Sequence, residues 1–230
     1  MRLESVVKSW GGNRAVDRMS FSLEKDVLGL IGPNGAGKTT LLSTIAGITL
    51  PDSGTIEFND LNVTKAKVWK RVKLGLVKTF QVGRPFGSLT VRENLELFRG
   101  IGGRVDIDGI LKSTGLDDLE NKKATELSHG NLKRLEVAKA LTTNPKLLLL
   151  DEPIGGLSTT EAESVINTLS SLKSKGVKMI IVEHRLSEIF PFVDDVVVMD
   201  RGVQIFHGST KELFEDEKVQ EAYMGGDNHA

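Results

Sequence analysis

The sequence contains no cysteine, and its 230 residues include only two tryptophans and one tyrosine. The absence of thiols excludes disulfides, thiolate metal sites and a catalytic cysteine, and it fits an intracellular protein. No stretch approaches the roughly 18 apolar residues of a membrane-spanning helix. The N-terminus also lacks the apolar core of a signal peptide. If the protein acts at a membrane, we expect another chain to provide the span.

An excess of charge of either sign is missing as well. The chain has 30 Lys and Arg against 31 Asp and Glu, which gives a formal net charge of −1. Nucleic-acid-binding proteins usually carry a basic surface, so this balance predicts no nucleic-acid partner. Hydrophobic residues make up 39% and charged residues 27% of the sequence, as in an ordinary globular protein.

The most informative segment present is a glycine-rich loop, because residues 32–39 match G-x-x-x-x-G-K-[ST] at every fixed position. It follows a predicted buried strand and leads into a predicted helix over 38–46, whose N-terminus favours an anion. We predict that it binds a nucleoside triphosphate, with Lys38 on the β- and γ-phosphates, Thr39 on Mg²⁺ and Thr40 on a further phosphate oxygen. The predicted phosphate-binding residues are Gly32, Pro33, Asn34, Gly35, Ala36, Gly37, Lys38, Thr39 and Thr40.

Two adjacent carboxylates follow a second apolar run. Leu147–Leu150 reads as a buried strand, and Asp151 and Glu152 come directly after it. In α/β proteins the carboxyl ends of the strands line the crevice that binds ligands. We predict that Asp151 holds the Mg²⁺ shell and that Glu152 accepts a proton from an attacking water. With the phosphate loop, these residues indicate a nucleotide-hydrolysing enzyme.

The pattern of apolar residues predicts a single α/β domain over 1–230. Alternating strands in the N-terminal portion indicate an antiparallel β subdomain, and apolar strands alternating with helices over 144–208 indicate a mostly parallel core sheet. Residues from about 88 to 143 have helical spacing and begin with a capping box at Thr90. We predict that this helical subdomain is inserted in the nucleotide-binding core.

A third segment, Leu127–Asn131, begins 20 residues before the apolar strand that leads to Asp151 and Glu152. An apolar-striped helix follows this segment. It closely resembles the L-S-G-G-Q signature of ATP-binding cassette (ABC) proteins, and the resemblance covers essentially the whole chain. The resemblance implies the ABC ATPase fold with ATP and Mg²⁺ as cofactors. It departs from the common pattern at His129 and Asn131, and at Ser158, where many members have an aspartate.

The resemblance also implies roles for residues outside these motifs. Gln81 matches a glutamine that contacts Mg²⁺ and the γ-phosphate, and His184 matches the switch histidine. Trp10 lies where the family keeps an aromatic residue that stacks on adenine. Ser128, Gly130 and Asn131 would contact the ATP that is bound by the phosphate loop of a second cassette chain, so we expect a homo- or heterodimer.

A transporter is the function that the resemblance implies. The expected partners are integral membrane permease subunits and, indirectly, a solute-binding protein, with the chain on the cytoplasmic, inner face of the membrane. Four segments resemble branched-chain amino acid import ATPases: residues 77–81, 83–94, 182–184 and 221–226. Cassettes for urea import or lipopolysaccharide export share parts of this pattern. A soluble ABC ATPase, a GTPase or small-molecule kinase, and an ATP sensor without turnover are the alternatives from other classes.

Overall fold

The computed structural model describes residues 1–79, 85–98, 105–216 and 219, which form two β-sheets with helices packed around them. The strands are β1 (Arg2–Trp10), β2 (Asn13–Ser22), β3 (Val27–Ile31), β4 (Ser53–Phe58), β5 (Leu61–Asn62), β6 (Leu76–Lys78), β7 (Leu147–Asp151), β8 (Lys178–Val182), β9 (Asp195–Asp200) and β10 (Val203–Gly208). The α-helices are α1 (Lys38–Ala46), α2 (Val68–Lys73), α3 (Val91–Glu96), α4 (Ile107–Thr114), α5 (His129–Leu141), α6 (Thr159–Ser174), α7 (Leu186–Ile189) and α8 (Thr210–Leu213).

The larger sheet has the strand order β10-β9-β3-β8-β7-β6 in the described part of the chain. Strands β9 to β6 run parallel, and β10 pairs antiparallel at the edge. Every residue of β3 and β7 is buried, because a continuous apolar strand needs cover on both faces of the sheet. The predicted mostly parallel core sheet is confirmed.

The smaller sheet is antiparallel, with the order β2-β1-β4-β5. It shares one hydrophobic cluster with α1 and one face of the larger sheet, and α6 covers the opposite face of the larger sheet in a second cluster. Helix α1 is thus held inside the core that joins the two sheets. This placement fixes the loop that precedes α1, which contains the glycine-rich motif.

Helices α3, α4 and α5 form a third hydrophobic cluster, which contains Leu95, Leu111 and Leu135. The capping box at Thr90 is present, with Glu93 as its partner. The separate cluster agrees with a helical subdomain over about 88–143, which stays an interpretation. The sequence pattern also places Phe98 on the apolar face of this first helix, but α3 ends at Glu96 and Phe98 is only partly buried.

Helix α2, which the sequence analysis did not identify, carries a fully buried arginine. Arg71 donates to the carbonyls of Thr44 and Ile45 at 2.8 and 2.6 Å, and also to those of Ala66 and Thr64. Burial lowers the pKa of Arg71 to about 10. Because the carbonyls at the C-terminus of α1 carry partial negative charge, the guanidinium neutralises that end of the helix and joins α2 to α1.

Most helix and strand limits agree with the sequence pattern to within a few residues. Strand β2 is longer than predicted, because it starts at Asn13 and the apolar pattern starts only at Ser20. Helix α5 starts at His129, three residues before the predicted start, because the Ser128 hydroxyl accepts from the Asn131 N–H and caps it. Strand β10 was missed because its burial is only partial, so its residues lack the apolar run of a core strand.

Candidate nucleotide-binding and catalytic site

Four loops of the candidate site leave the same edge of the larger sheet. Strands β3, β8, β7 and β6 are consecutive neighbours and all parallel, so their carboxyl ends lie side by side. The glycine-rich loop follows β3, and the segment with His184 follows β8. Asp151 is the last residue of β7 and Glu152 comes directly after it, and the fourth segment begins after β6. The sheet thereby brings together side chains that are as far apart in sequence as Lys38 and His184.

The glycine-rich loop has a backbone that only glycine tolerates. Gly37 has φ 102°, and an added Cβ would lie 1.9 Å from the carbonyl oxygen of Ala15 on β2. Gly35 has φ 80° and no atom within 4 Å of the Cβ position, which leaves open space above the loop. No side chain caps the N-terminus of α1, so its first N–H groups fit an anion such as a phosphate.

Lys38 is the buried cation of this loop. Its Nζ donates to the carbonyl oxygens of Gly32 and Pro33 at 2.7 and 2.9 Å, so the side chain curls back over its own loop. Burial lowers the pKa of Lys38, and the nearby carboxylates of Glu152 and Asp151 oppose that shift. The ammonium is therefore held where phosphate oxygens would stabilise its charge.

Thr39 and Asp151 provide oxygen ligands of the kind that Mg²⁺ prefers. Thr39 Oγ1 lies 3.4 Å from Asp151 Oδ1, although the two residues are far apart in sequence. The described ranges contain no group of three or more His, Asp and Glu side chains that could hold a metal ion. One hydroxyl and one carboxylate fit Mg²⁺ in a phosphate site, where substrate oxygens and waters complete the coordination.

Glu152 and His184 form a second pair of polar side chains at this edge of the sheet. His184 Nε2 lies 3.4 Å from Glu152 Oε1, and both side chains are partly exposed. Glu152 has φ 51°, in the left-handed region that is uncommon for a non-glycine residue, while its N–H donates to the Val182 carbonyl. Because of this turn, the side chains of Glu152 and Asp151 point in different directions.

Two residues beside His184 were missed by the sequence analysis. The Glu183 carboxylate is buried and accepts from the N–H groups of Ile154 and His184 at 2.7 and 3.1 Å. Arg185 donates to the carbonyls of Ile154 and Leu157 at 3.3 and 2.6 Å. Both therefore connect the histidine loop to the segment after Glu152. A charged residue on each side of the predicted histidine was the available signal.

The signature residues lie at the start of α5, and one of them, Gly130, contacts α6. Gly130 donates its N–H to Glu161 Oε1 at 3.2 Å, and Asn131 accepts from Arg134. Ser158 caps α6 and forms a capping box with Glu161. Ser158 therefore has a structural function as the N-cap of α6.

Trp10 and Gln81 are the two remaining predicted residues. Trp10 is 53% exposed at the end of β1, with Lys8 Nζ 5.0 Å from its ring centroid, so a ring face is accessible for stacking. Gln81 lies outside the described residues, as do 82–84 and the segment 221–226. The assigned roles of Trp10, Gln81 and the other site residues stay predictions.

Comparison with known proteins agrees with the geometry of this edge. Residues 16–155 match the family model described as "ABC transporter". The chain is 34% identical over 98% of its length to 97% of a Methanocaldococcus jannaschii protein named "Probable branched-chain amino acid transport ATP-binding protein LivG". The chain belongs to the ABC transporter family. It is therefore the ATP-binding subunit of an ABC transporter and an ATPase.

Further similarities extend over nearly the whole ABC cassette. A crystal structure of the ADP conformation of an ATP-binding cassette of an ABC transporter superposes with a TM-score of 0.87 at 34% identity, covering 97% of this chain and 98% of that one. The Escherichia coli lipopolysaccharide export system ATP-binding protein LptB is 28% identical over 97% of this chain and 96% of its own. The predicted ABC ATPase fold is confirmed.

Substitution of Glu183 tests the link between the histidine loop and the segment after Glu152. Burial raises the pKa of Glu183 above its ordinary value of 4.5, against the opposing effect of three backbone N–H groups. The native state thus binds a proton at Glu183 more tightly than the unfolded state, and this stabilisation is lost as the pH rises above that value. Relative to Glu183→Gln, the wild type should lose free energy of unfolding as the pH rises above 4.5.

Urea denaturation at several pH values measures this difference. Glu163→Gln, at an exposed position on α6, is the matched control and should follow the wild type at every pH. Parallel pH profiles for the wild type and Glu183→Gln would show that ionisation of the buried carboxylate does not lower the free energy of unfolding.

Proposed function

We propose that the chain hydrolyses Mg²⁺-ATP to power the import of branched-chain amino acids. The observation that carries the proposal is the 3.4 Å approach of His184 to Glu152, which follow the neighbouring strands β8 and β7. Strand β8 also lies beside β3, which leads into the glycine-rich loop. Neighbouring parallel strands hold these groups in position, and the reaction needs no covalent intermediate. Positioning and charge neutralisation are the main requirements of phosphoryl transfer.

The loop residues bind and orient the triphosphate. The uncapped N–H groups of α1 and the ammonium of Lys38 face the same region, so both donate to phosphate oxygens. Thr39 and Asp151 would hold Mg²⁺ through one hydroxyl and one carboxylate oxygen, and Gln81 would add an amide oxygen. When bound, Mg²⁺ neutralises charge on the phosphates. Trp10 offers its exposed ring face to the adenine base.

Glu152 accepts the proton of the attacking water in this proposal. Its carboxylate is partly exposed, so water can reach it, and His184 Nε2 is close enough to orient the same water or a phosphate oxygen. Glu183 and Arg185 are positioning residues, because they hold the loop that carries His184 against the segment after Glu152.

A second cassette chain would complete the site. Ser128 and Gly130 lie at the N-terminus of the 13-residue helix α5. Ser128 caps this helix and Gly130 donates to Glu161 on α6, so neither of these hydrogen bonds leads to the glycine-rich loop. A head-to-tail pair places this helix N-terminus opposite the partner's bound phosphates, where its partial positive charge stabilises the γ-phosphate. ATP would then favour the dimer, and hydrolysis would release it.

The relatives support branched-chain amino acids as the transported solute. The protein named LivG matches at 34% identity over nearly its full length, compared with 28% for LptB. Lipopolysaccharide export is the second candidate, because the LptB match has equal coverage. A soluble cassette that is not coupled to transport is a third possibility, and association with a membrane chain separates it from the others.

Membrane permease subunits are the proposed partners, with the chain on the cytoplasmic face of the membrane. The described residues include no helix long and apolar enough to cross a bilayer. A groove of about 290 Å³ is lined mostly by apolar residues of α1, α2, β6 and α5. Phe98, which follows α3, also lines it. Lys139 lines it too, 5.3 Å from the Phe98 ring and 5.9 Å from the half-exposed Phe86 ring. An apolar helix of a permease fits this surface.

Replacement of Glu152 by Gln tests the proposed chemistry. The amide keeps the shape of the side chain but is a poor base, so hydrolysis should fall by about 10²–10⁴-fold while ATP binding is retained. The bound, unhydrolysed ATP should also increase the fraction of dimer, which static light scattering measures. Glu163→Gln on the exposed face of α6 is the control. Normal turnover by Glu152→Gln would remove Glu152 from the mechanism.

Substitution of Phe86 tests the docking surface. Phe86→Asp replaces an exposed apolar ring beside Lys139, which lines the groove, with a charge, and should reduce co-purification with the permease subunits by about tenfold or more. Its ATPase activity without the membrane subunits should change less than about threefold, because Phe86 is not part of the nucleotide site. Val203→Asp, on the exposed edge strand β10, should behave as wild type in both assays. Unchanged permease association of Phe86→Asp would refute this assignment.

A further inference from the structure

A buried ion pair lies directly behind the proposed Mg²⁺ ligands. Lys78, the last residue of β6, places its Nζ 3.0 Å from Asp151 Oδ2. The side chains of Lys78 and Asp151 are 7% and 0% exposed. Strand β6 pairs in register with β7, with Lys78 opposite Leu149, so the ammonium extends along β7 to the carboxylate. No part of the proposed mechanism uses Lys78.

The two oxygens of Asp151 have different neighbours. Oδ2 accepts from Lys78, whereas Oδ1 lies 3.4 Å from the Thr39 hydroxyl. The ion pair therefore fixes the rotation of the carboxylate and leaves the second oxygen directed at the other proposed ligand. A carboxylate without this bond would be free to turn about its terminal torsion, which has a broad energy minimum.

The positive charge of Lys78 compensates a carboxylate that is buried. An isolated carboxylate that is fully removed from water is strongly unfavourable, and the loss of one partner from a buried pair leaves the other uncompensated. Lys38 is close enough for its pKa to respond to Asp151, but the Lys38 ammonium donates to the carbonyls of its own loop. Lys78 is thus the cation in direct contact with Asp151 in the described structure.

We propose that Lys78 is the resident counter-cation of Asp151, which orients that carboxylate and limits how tightly the site binds Mg²⁺. The inference rests on the proposed function, because it assumes that Mg²⁺ enters beside Asp151. A fixed positive charge next to a cation ligand stabilises the carboxylate when no metal is bound and repels a divalent ion that shares it. The same residue therefore weakens Mg²⁺ binding and preserves the fold without the metal.

The first experiment measures how strongly Mg²⁺ and ADP enhance each other's binding. ADP affinity is determined by calorimetry in EDTA and across a Mg²⁺ titration for wild type, Lys78→Met and Lys78→Arg. Lys78→Met removes the charge and should raise Mg²⁺ affinity by about tenfold or more. Lys78→Arg keeps the charge and should stay within about threefold of wild type, as should the exposed control Lys65→Met. An unchanged or lower Mg²⁺ affinity in Lys78→Met would overturn the proposal.

The second experiment is a double-mutant cycle without metal or nucleotide. Urea denaturation in EDTA compares wild type, Lys78→Met, Asp151→Asn and the double variant. The double variant should be more stable than Lys78→Met, because neither of its two substituted side chains is charged. If Lys78→Met does not fold, a folded double variant still supports the counter-cation role. Additive losses would contradict the counter-cation role. If wild type itself shows no Mg²⁺-enhanced ADP binding, the proposed function fails, while this cycle still decides the role of Lys78.

Discussion

Parallel pairing of β3, β8, β7 and β6 is the constraint on which the rest of the molecule depends. The four strands end at one edge of the sheet, and each delivers a different component there: the glycine-rich loop, His184, the Asp151–Glu152 pair and Lys78. A shift of any strand in register would separate these groups by several ångströms, because each residue of a strand advances the chain by about 3.3 Å. The two hydrophobic clusters on either face of the sheet hold that register, so the packing of the core fixes the geometry of the site.

Buried charges surround this edge, and each is neutralised in a different way. Asp151 pairs with Lys78, Lys38 donates to loop carbonyls, and Glu183 accepts backbone N–H groups. Arg71, further away, neutralises the C-terminal end of the helix that begins at the glycine-rich loop. These contacts fix the positions of ionisable side chains that would be costly to bury alone. The nucleotide site is therefore held in position by polar contacts as well as by the hydrophobic core.

The sequence predicts the parts of this arrangement that depend on local pattern. The loop at Gly32–Thr39, the strand that ends at Asp151 and the capping box at Thr90 each follow from the residue types within a few positions. Lys78, Arg71 and Glu183 could not be identified in this way, because their roles depend on partners 73, 27 and 29 residues away. A buried lysine on a short strand looks the same in sequence as an exposed one. Strand pairing, which the pattern leaves open, decides between them.

In the proposed mechanism each chain carries two half-sites, and the glycine-rich loop of one chain faces Ser128 of another. Mixing two inactive variants tests this claim most directly. Lys38→Ala disables the loop and Ser128→Arg blocks the signature helix, so each protein alone should lack ATPase activity. In a mixed dimer one site carries both defects and the other carries none, and the account predicts that activity returns on mixing. If the mixture stays as inactive as its components while dimers form, the site lies within one chain and the account is wrong.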